Sequence, residues 1–171
     1  IILFMEDTIV APATPSGKGG VSVVRVSGVG AKAVGEVVCG ELNEPWVFKK
    51  CQIKNKKGVV IDSGLVVLFE SPKSYTGEDV VEVHCHGSPV VVDLVVESFL
   101  SVGCRLAEPG EFTKRAYLNE KIDMTQAEAV SDLIASETEE AARAAHNSLV
   151  GEFSKLINGV YRQGCFCSCF S

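Results

Sequence analysis

The stretch DVVEVHCHG, residues 79–87, sets three titratable side chains at every second position. In an extended strand successive side chains alternate between faces, so Glu82, His84 and His86 share one face while Val81, Val83 and Cys85 share the other. A carboxylate followed by two imidazoles suits either a solvated sheet face or part of a metal-ligand set that needs further donors from elsewhere. A second unusual charge stands in VSVVRV, residues 21–26, where Arg25 falls on the same face as Val21 and Val23. An arginine among buried valines needs an anionic partner, because an unpaired buried charge is very costly. Glu82 is a candidate for that partner in a purely structural ion pair; alternatively, both residues face a ligand that presents a carboxylate and a donor edge.

Two other stretches carry charge in suggestive patterns. SGKGG, residues 16–20, invites comparison with a phosphate-binding loop, but that loop needs G-x-x-x-x-G-K-[ST] so that backbone amides wrap the phosphates and a hydroxyl binds Mg²⁺. Here Lys18 is followed by Gly19 and Gly20 and the upstream glycine is missing, so the segment reads as a turn with Lys18 at the surface. EPGEFTKRAYLNEKIDMTQAEAVSDLI, residues 108–134, gathers Lys114, Arg115 and Lys121 around Glu111, Asn119 and Glu120. As a bare charge pattern it is an exposed helix face.

The elements that must position these residues follow from composition and punctuation. Thr8–Ala13 and Val21–Val26 are β-branched runs separated by the Pro15–Gly20 turn cluster, and a short helix is expected over Ala31–Val38. Trp46–Ile53, Gly64–Phe69 and Asp79–His86 read as three further strands, with a turn at Asn55-Lys56-Lys57-Gly58. Ser88–Val102 has the length of a helix despite its valines, with Ser88 placed to cap it and Pro89 in its first turn. Cys104–Ala107 makes one last short strand. From Pro109 onward Ala, Glu, Leu and Arg dominate, so 111–119 and 124–163 are helical, and Thr125 with Glu128 has the spacing of a capping box. The apolar positions Ala129, Leu133 and Ile134, then Ala142, Ala145, Leu149, Phe153 and Leu156, keep a helical period. Such a helical hairpin cannot bury its apolar stripe alone, so it is expected to dock on another chain or on more of its own.

The bulk numbers narrow the class. The chain has 171 residues, 46% of them hydrophobic and 22% charged, which is ordinary globular composition, and it contains no apolar run of the about eighteen residues that signal a membrane span. Its net charge of −6 lacks the electrostatic footprint of a free-standing nucleic-acid binder. The densest basic stretch, FKKCQIKNKKG at 48–58, fits a solvated hairpin tip. Of seven cysteines, Cys39, Cys51, Cys85 and Cys104 lie among apolar residues, where a free thiol behaves as a small hydrophobe, and a reducing cytosol is the expected compartment. The terminal GCFCSCFS places Cys165, Cys167 and Cys169 in metal-like spacing without a nearby histidine, and reads as a frayed or non-native end; Ile1–Phe4, ahead of Met5, read as foreign too.

Taken as whole sentences, DTIVAPATPSGKGGVSVVRVSG, SYTGEDVVEVHCHGSPVVVDL, RLAEPGEFTKRAYLNEKIDMTQAEAVSDLI and AARAAHNSLVGEFS strongly resemble, in order, the N-terminal region of the tRNA-modification GTPase family MnmE, also called TrmE. The resemblance covers nearly everything from Asp7 to about Tyr161. It implies an α+β fold: a mixed β-sheet with packed helices, similar to the folate-binding domain of the glycine-cleavage aminomethyltransferases, followed by the start of an all-α helical domain. On that basis residues 5–122 are expected to form a folate-binding and dimerisation domain, 123–163 the first helices of the helical domain, and 164–171 a non-native or disordered tail.

The resemblance also implies partners and a site. Family members form homodimers and work in the cytoplasm with a flavoprotein of the MnmG (GidA) type. Together they install an aminomethyl-type group on the wobble uridine of certain tRNAs, drawing the one-carbon unit from a formyl- or methylene-tetrahydrofolate. The family's folate-binding arginine, glutamate and lysine match Arg25, Glu82 and Lys121, while no catalytic residue and no metal ligand is carried over to this chain. GTP, Mg²⁺ and K⁺ belong to a GTPase domain whose motifs do not occur here, and the family's C-terminal C-x-G-K is missing as well. Ser88 in HGSP stands where the family usually has glycine. A self-contained folate-dependent aminomethyltransferase is the competing expectation.

Overall fold

The structure, a computed structural model, describes residues 7–151. It divides into two compact units, Ile1–Phe112 and Thr113–Ser171. The first is built on a six-stranded sheet: β1 (Ile9–Pro12), β2 (Gly19–Ser27), β3 (Lys49–Lys54), β4 (Val60–Phe69), β5 (Val80–Gly87) and β6 (Arg105–Leu106), in the spatial order β3-β4-β5-β2-β1-β6. All neighbours are antiparallel except β1 and β6, which makes the sheet mixed. With its helices the chain is α+β, as expected.

Two helices, α1 (Ala31–Cys39) and α2 (Pro89–Ser101), cover one face of this sheet. Val24 and Val26 of β2, Val81 and Val83 of β5, Val66 and Leu68 of β4 and Ile53 of β3 are buried there against Val38, Val95 and Phe99. Burial of branched side chains on a pleated surface is the main source of stability, at about 1.5–3 kcal/mol for each fully buried one. The helix α1 lies so close to β5 that a Cβ on Gly35 would come within 2.9 Å of Leu42 and 3.0 Å of Val81. In α2 Pro89 supplies a pre-set φ at the first helical position, so the valine-rich segment is a helix as its length suggested. Ser88 occupies the cap position, but its hydroxyl makes no capping bond.

Three sequence expectations are corrected in detail. The strand expected from Trp46 starts only at Lys49, because Trp46 takes a left-handed backbone (φ 67°) in a turn, where its N–H donates to the Leu68 carbonyl at 2.8 Å and its ring stands edge-on to Phe69. Val21 is 62% exposed and Val23 only half-buried, so Arg25 does not sit among buried valines; those belong to the opposite face. The capping box falls two residues earlier than the Thr125/Glu128 spacing suggested. Asp123, in extended conformation, accepts from the Gln126 N–H at 2.8 Å, while Gln126 Oε1 accepts from the Asp123 N–H at 2.9 Å, leaving Thr125 already inside the helix.

That helix, α4 (Met124–Ala135), belongs to the second unit with α5 (Glu139–Leu149), and α3 (Glu111–Leu118) spans the division between the units. Thr138 caps α5 by accepting from the Ala141 N–H, so among the described residues α4 and α5 form the two arms of the expected helical hairpin. Within the pair Ala129 and Ala145 are buried, whereas Ile134 is 82% exposed. The positions Phe153 and Leu156 and the cysteines of the terminal GCFCSCFS lie outside the described residues.

Candidate functional site on the open sheet face

The face of the sheet turned away from α1 and α2 carries the polar residues. Register places Arg25 directly opposite Glu82, with Ala11 and Val67 completing that row, and Val23 opposite His84, with Leu65 beyond it. The chemistry legible in DVVEVHCHG therefore does share one face, and Arg25 joins it from the neighbouring strand. Both the Nε and Nη2 of Arg25 lie 2.8 Å from Glu82 Oε1. Neither side chain is sealed off: Arg25 is 25% and Glu82 17% exposed. One carboxylate oxygen thus holds the guanidinium, and the other, Oε2, points along the strand toward His84 Nε2 at 3.8 Å.

Aromatic rings flank this pair. The guanidinium carbon of Arg25 lies 5.1 Å from the Tyr75 ring centroid and 5.6 Å from that of Phe112, within the range of a cation–π interaction. Tyr75 is delivered by the connection between β4 and β5. Its neighbour Thr76 is fully buried, with its hydroxyl 2.7 Å from that of Ser27, and Ser27 also donates to Glu78 at 2.8 Å. The Ser71 N–H binds Asp79 at 2.9 Å, so this connection is pinned by its own polar side chains. Phe112 follows a type II turn, Glu108-Pro109-Gly110-Glu111, closed by a 3.0 Å bond from the Glu111 N–H to the Glu108 carbonyl. Proline and a glycine at φ 74° stand where that turn demands them. Arg105 clamps Glu111 through its two terminal guanidinium nitrogens, at 2.6 and 3.0 Å, and pairs with Asp7 through Nε.

Farther along β5, His86 leaves the row. Its ring Nδ1 and its backbone N–H each lie 2.8 Å from an oxygen of Asp62, whose Oδ1 also accepts from the Ser63 N–H at 2.8 Å. Burial pushes the Asp62 carboxyl up, but these donors outweigh it and hold the group below the usual carboxylate range. His86 itself is 71% exposed. The two histidines thus turn to different carboxylates, and among the described residues no three His, Cys, Asp or Glu side chains are gathered to hold a metal ion.

The remaining sequence candidates are plainly placed. Lys18 is exposed in the connection between β1 and β2, and the basic hairpin tip is closed by Asn55, whose side chain accepts from the Lys57 and Val59 N–H groups. Cys39, Cys51, Cys85 and Cys104 are free and buried, and burial pushes the Cys104 thiol up to about 11, as befits a small hydrophobe. Lys121 belongs to the second unit and is exposed in the turn after α3. That turn is a paired helix stop in which the Glu120 N–H binds the Tyr117 carbonyl at 3.1 Å and the Lys121 N–H binds Ala116 at 2.9 Å, with Glu120 at φ 57° where glycine is usual. Among the described residues no helix is long and apolar enough to cross a membrane.

Residues 8–121 match the family model described as the GTP-binding protein TrmE N-terminus. This chain belongs to that family. Over 158 residues it is 46% identical to the tRNA modification GTPase MnmE of Francisella tularensis subsp. novicida (strain U112), and 48% identical to the tRNA modification GTPase MnmE of Francisella philomiragia subsp. philomiragia (strain ATCC 25017). Each match takes in 92% of this chain and 35% of the relative, so the chain spans about a third of the length of these MnmE proteins. Of the TrmE-type site residues expected from sequence, Arg25 and Glu82 are brought together on one sheet face. Tyr75, from the connection between β4 and β5, Phe112, in the first turn of α3, and Phe48, just ahead of β3 and beside His84, are not legible in the sequence, because which strand each ring meets depends on the path of the chain and not on local periodicity.

Proposed function

We propose that this chain supplies the folate-binding part of a tRNA-modifying GTPase, with Arg25, Glu82 and Lys121 as the residues that hold a formyl- or methylene-tetrahydrofolate. The supporting observation is the Arg25–Glu82 pair: a largely buried but still accessible ion pair on a sheet face left uncovered by α1 and α2, flanked by Tyr75 and Phe112. The donor set suits such a ligand. A carboxylate accepts the N–H groups of a pterin edge, arginine and lysine suit carbonyl and carboxylate groups, and aromatic rings suit a flat heterocycle. Bound there, the folate would supply the one-carbon unit, and the protein's own groups would bind it, orient it and limit its contact with water.

In this proposal the domain spans residues 5–122, adopts the folate-binding fold of the glycine-cleavage aminomethyltransferases, and pairs as a homodimer. The helices from residue 123 begin the helical domain. The whole protein acts on wobble uridine in the cytoplasm with a flavoprotein of the MnmG type, using GTP, Mg²⁺ and K⁺ in a separate GTPase domain. Calorimetric titration with 5-formyl-tetrahydrofolate tests the site: binding that Glu82→Ala abolishes is the expected result, and equal binding by Glu82→Ala rules the assignment out. Sedimentation that shows a monomer at micromolar concentration counts against the homodimer. One-carbon transfer by this chain without GTP would favour a self-contained transferase instead.

A further inference from the structure

His84 Nε2 is buried and has no hydrogen-bond partner among the described residues. Such an atom requires a physical account, since a buried polar group left unmade costs about 1–3 kcal/mol. Its surroundings are specific. It faces Glu82 Oε2 at 3.8 Å, beyond hydrogen-bond reach, while Phe48 packs edge-on against the imidazole with ring centroids 5.1 Å apart. Val23 and Leu65 flank it in the same row of the sheet. Glu82 Oε1 already receives two N–H groups from Arg25, so Oε2 and His84 Nε2 are left side by side as an acceptor and a potential donor.

We propose that His84 is a ligand-contacting, specificity-determining residue: once side chains packed on the imidazole give way to uncover Nε2, Oε2 of Glu82 and Nε2–H of His84 together read a lactam edge, accepting its ring N–H and donating to its carbonyl oxygen. This rests on the proposed folate site and alters its chemistry in one respect. Glu82, with Oε1 committed to Arg25, contributes one oxygen rather than two, and the second point of recognition is an imidazole. The consequence is selectivity for 4-oxopteridines over 4-aminopteridines, which present an amino group where the lactam has its carbonyl.

The test compares the parent chain, His84→Leu, His84→Gln and Glu82→Ala by calorimetry with a reduced 4-oxopteridine and with its 4-amino counterpart, after thermal unfolding shows each variant folded. Loss of one neutral hydrogen bond predicts about tenfold weaker binding of the 4-oxo compound by His84→Leu. Discrimination between the two pteridines should collapse in the same variant, and His84→Gln, whose amide reaches a similar point with a donor, should restore much of both. In the parent, the His84 ring ¹⁵N resonances should shift when ligand is added. If His84→Leu binds and discriminates as the parent does while Glu82→Ala loses binding, the role of His84 is refuted and the folate site stands. If neither substitution changes binding, or the parent binds neither pteridine, both proposals fall.

Discussion

The two faces of the sheet are built from the same strands and do opposite work. On one, Val24, Val26, Val81 and Val83 are buried in a single apolar cluster with residues of α1 and α2. On the other, the alternate residues Arg25, Glu82 and His84 stay partly open, and Arg25 is flanked by two single rings, Tyr75 from the connection between β4 and β5 and Phe112 from the first turn of α3. Because strand side chains alternate, one short β-strand can serve a rigid core and a polar site at once, each residue committed by parity alone. The lesson is that stability and binding are separable here by substitution, to the extent that two neighbours in sequence point in opposite directions.

The sharpest contrast comes from the covered face. Phe99→Ala removes a fully buried ring and should cost about 3–5 kcal/mol in denaturant unfolding, enough to leave the domain marginal. Glu82→Ala should cost less in unfolding, since both partners are partly solvated, yet weaken binding of a reduced folate by about 2–3 kcal/mol. Should Glu82→Ala lower stability as much as Phe99→Ala and leave binding intact, the open face would be structural and the contrast would disappear.

A third test uses pH. The Asp62 carboxyl is held below its ordinary value in the folded chain, so its contribution is complete above the unfolded value and is lost as pH falls through the lower folded one. Acid unfolding followed by circular dichroism should therefore show a shallower decline for Asp62→Asn than for the parent in that window, while Phe99→Ala keeps the parent's slope. The smallest effect is expected in the second unit. Glu120 holds a left-handed conformation that costs a non-glycine residue about 1 kcal/mol, so Glu120→Gly should raise the melting temperature. A fall instead would mean that the Glu120 side chain makes a contact worth more than the backbone strain.

How far this was readable beforehand depended on whether a feature is local. The strand VVEVHCHG and the helix begun by Pro89 followed from periodicity and punctuation, because alternation and proline geometry act within a few residues. The capping box was misplaced by two residues because two S/T/D-x-x-E/Q spacings overlap at 123–128 and only the backbone conformation of Asp123 decides between them. Trp46 resisted entirely: nothing in EPWVF signals a left-handed tryptophan held by the carbonyl of Leu68.

By itself, then, the sequence determined the family, the α+β class, and the shared face of Glu82, His84 and His86, since each depends on residue type and on spacings short enough for the backbone to enforce. Tertiary structure alone decided that Arg25 meets Glu82 through one oxygen, that Tyr75 and Phe112 flank the pair, and that His84 Nε2 is left facing the other oxygen. Apart from the approach of His84 to Glu82 within one strand, those contacts join residues 50 and more positions apart, such as Arg25 and Glu82 with a separation of 57. Strand register and the path of the connections set such distances, and neither is written in any local pattern.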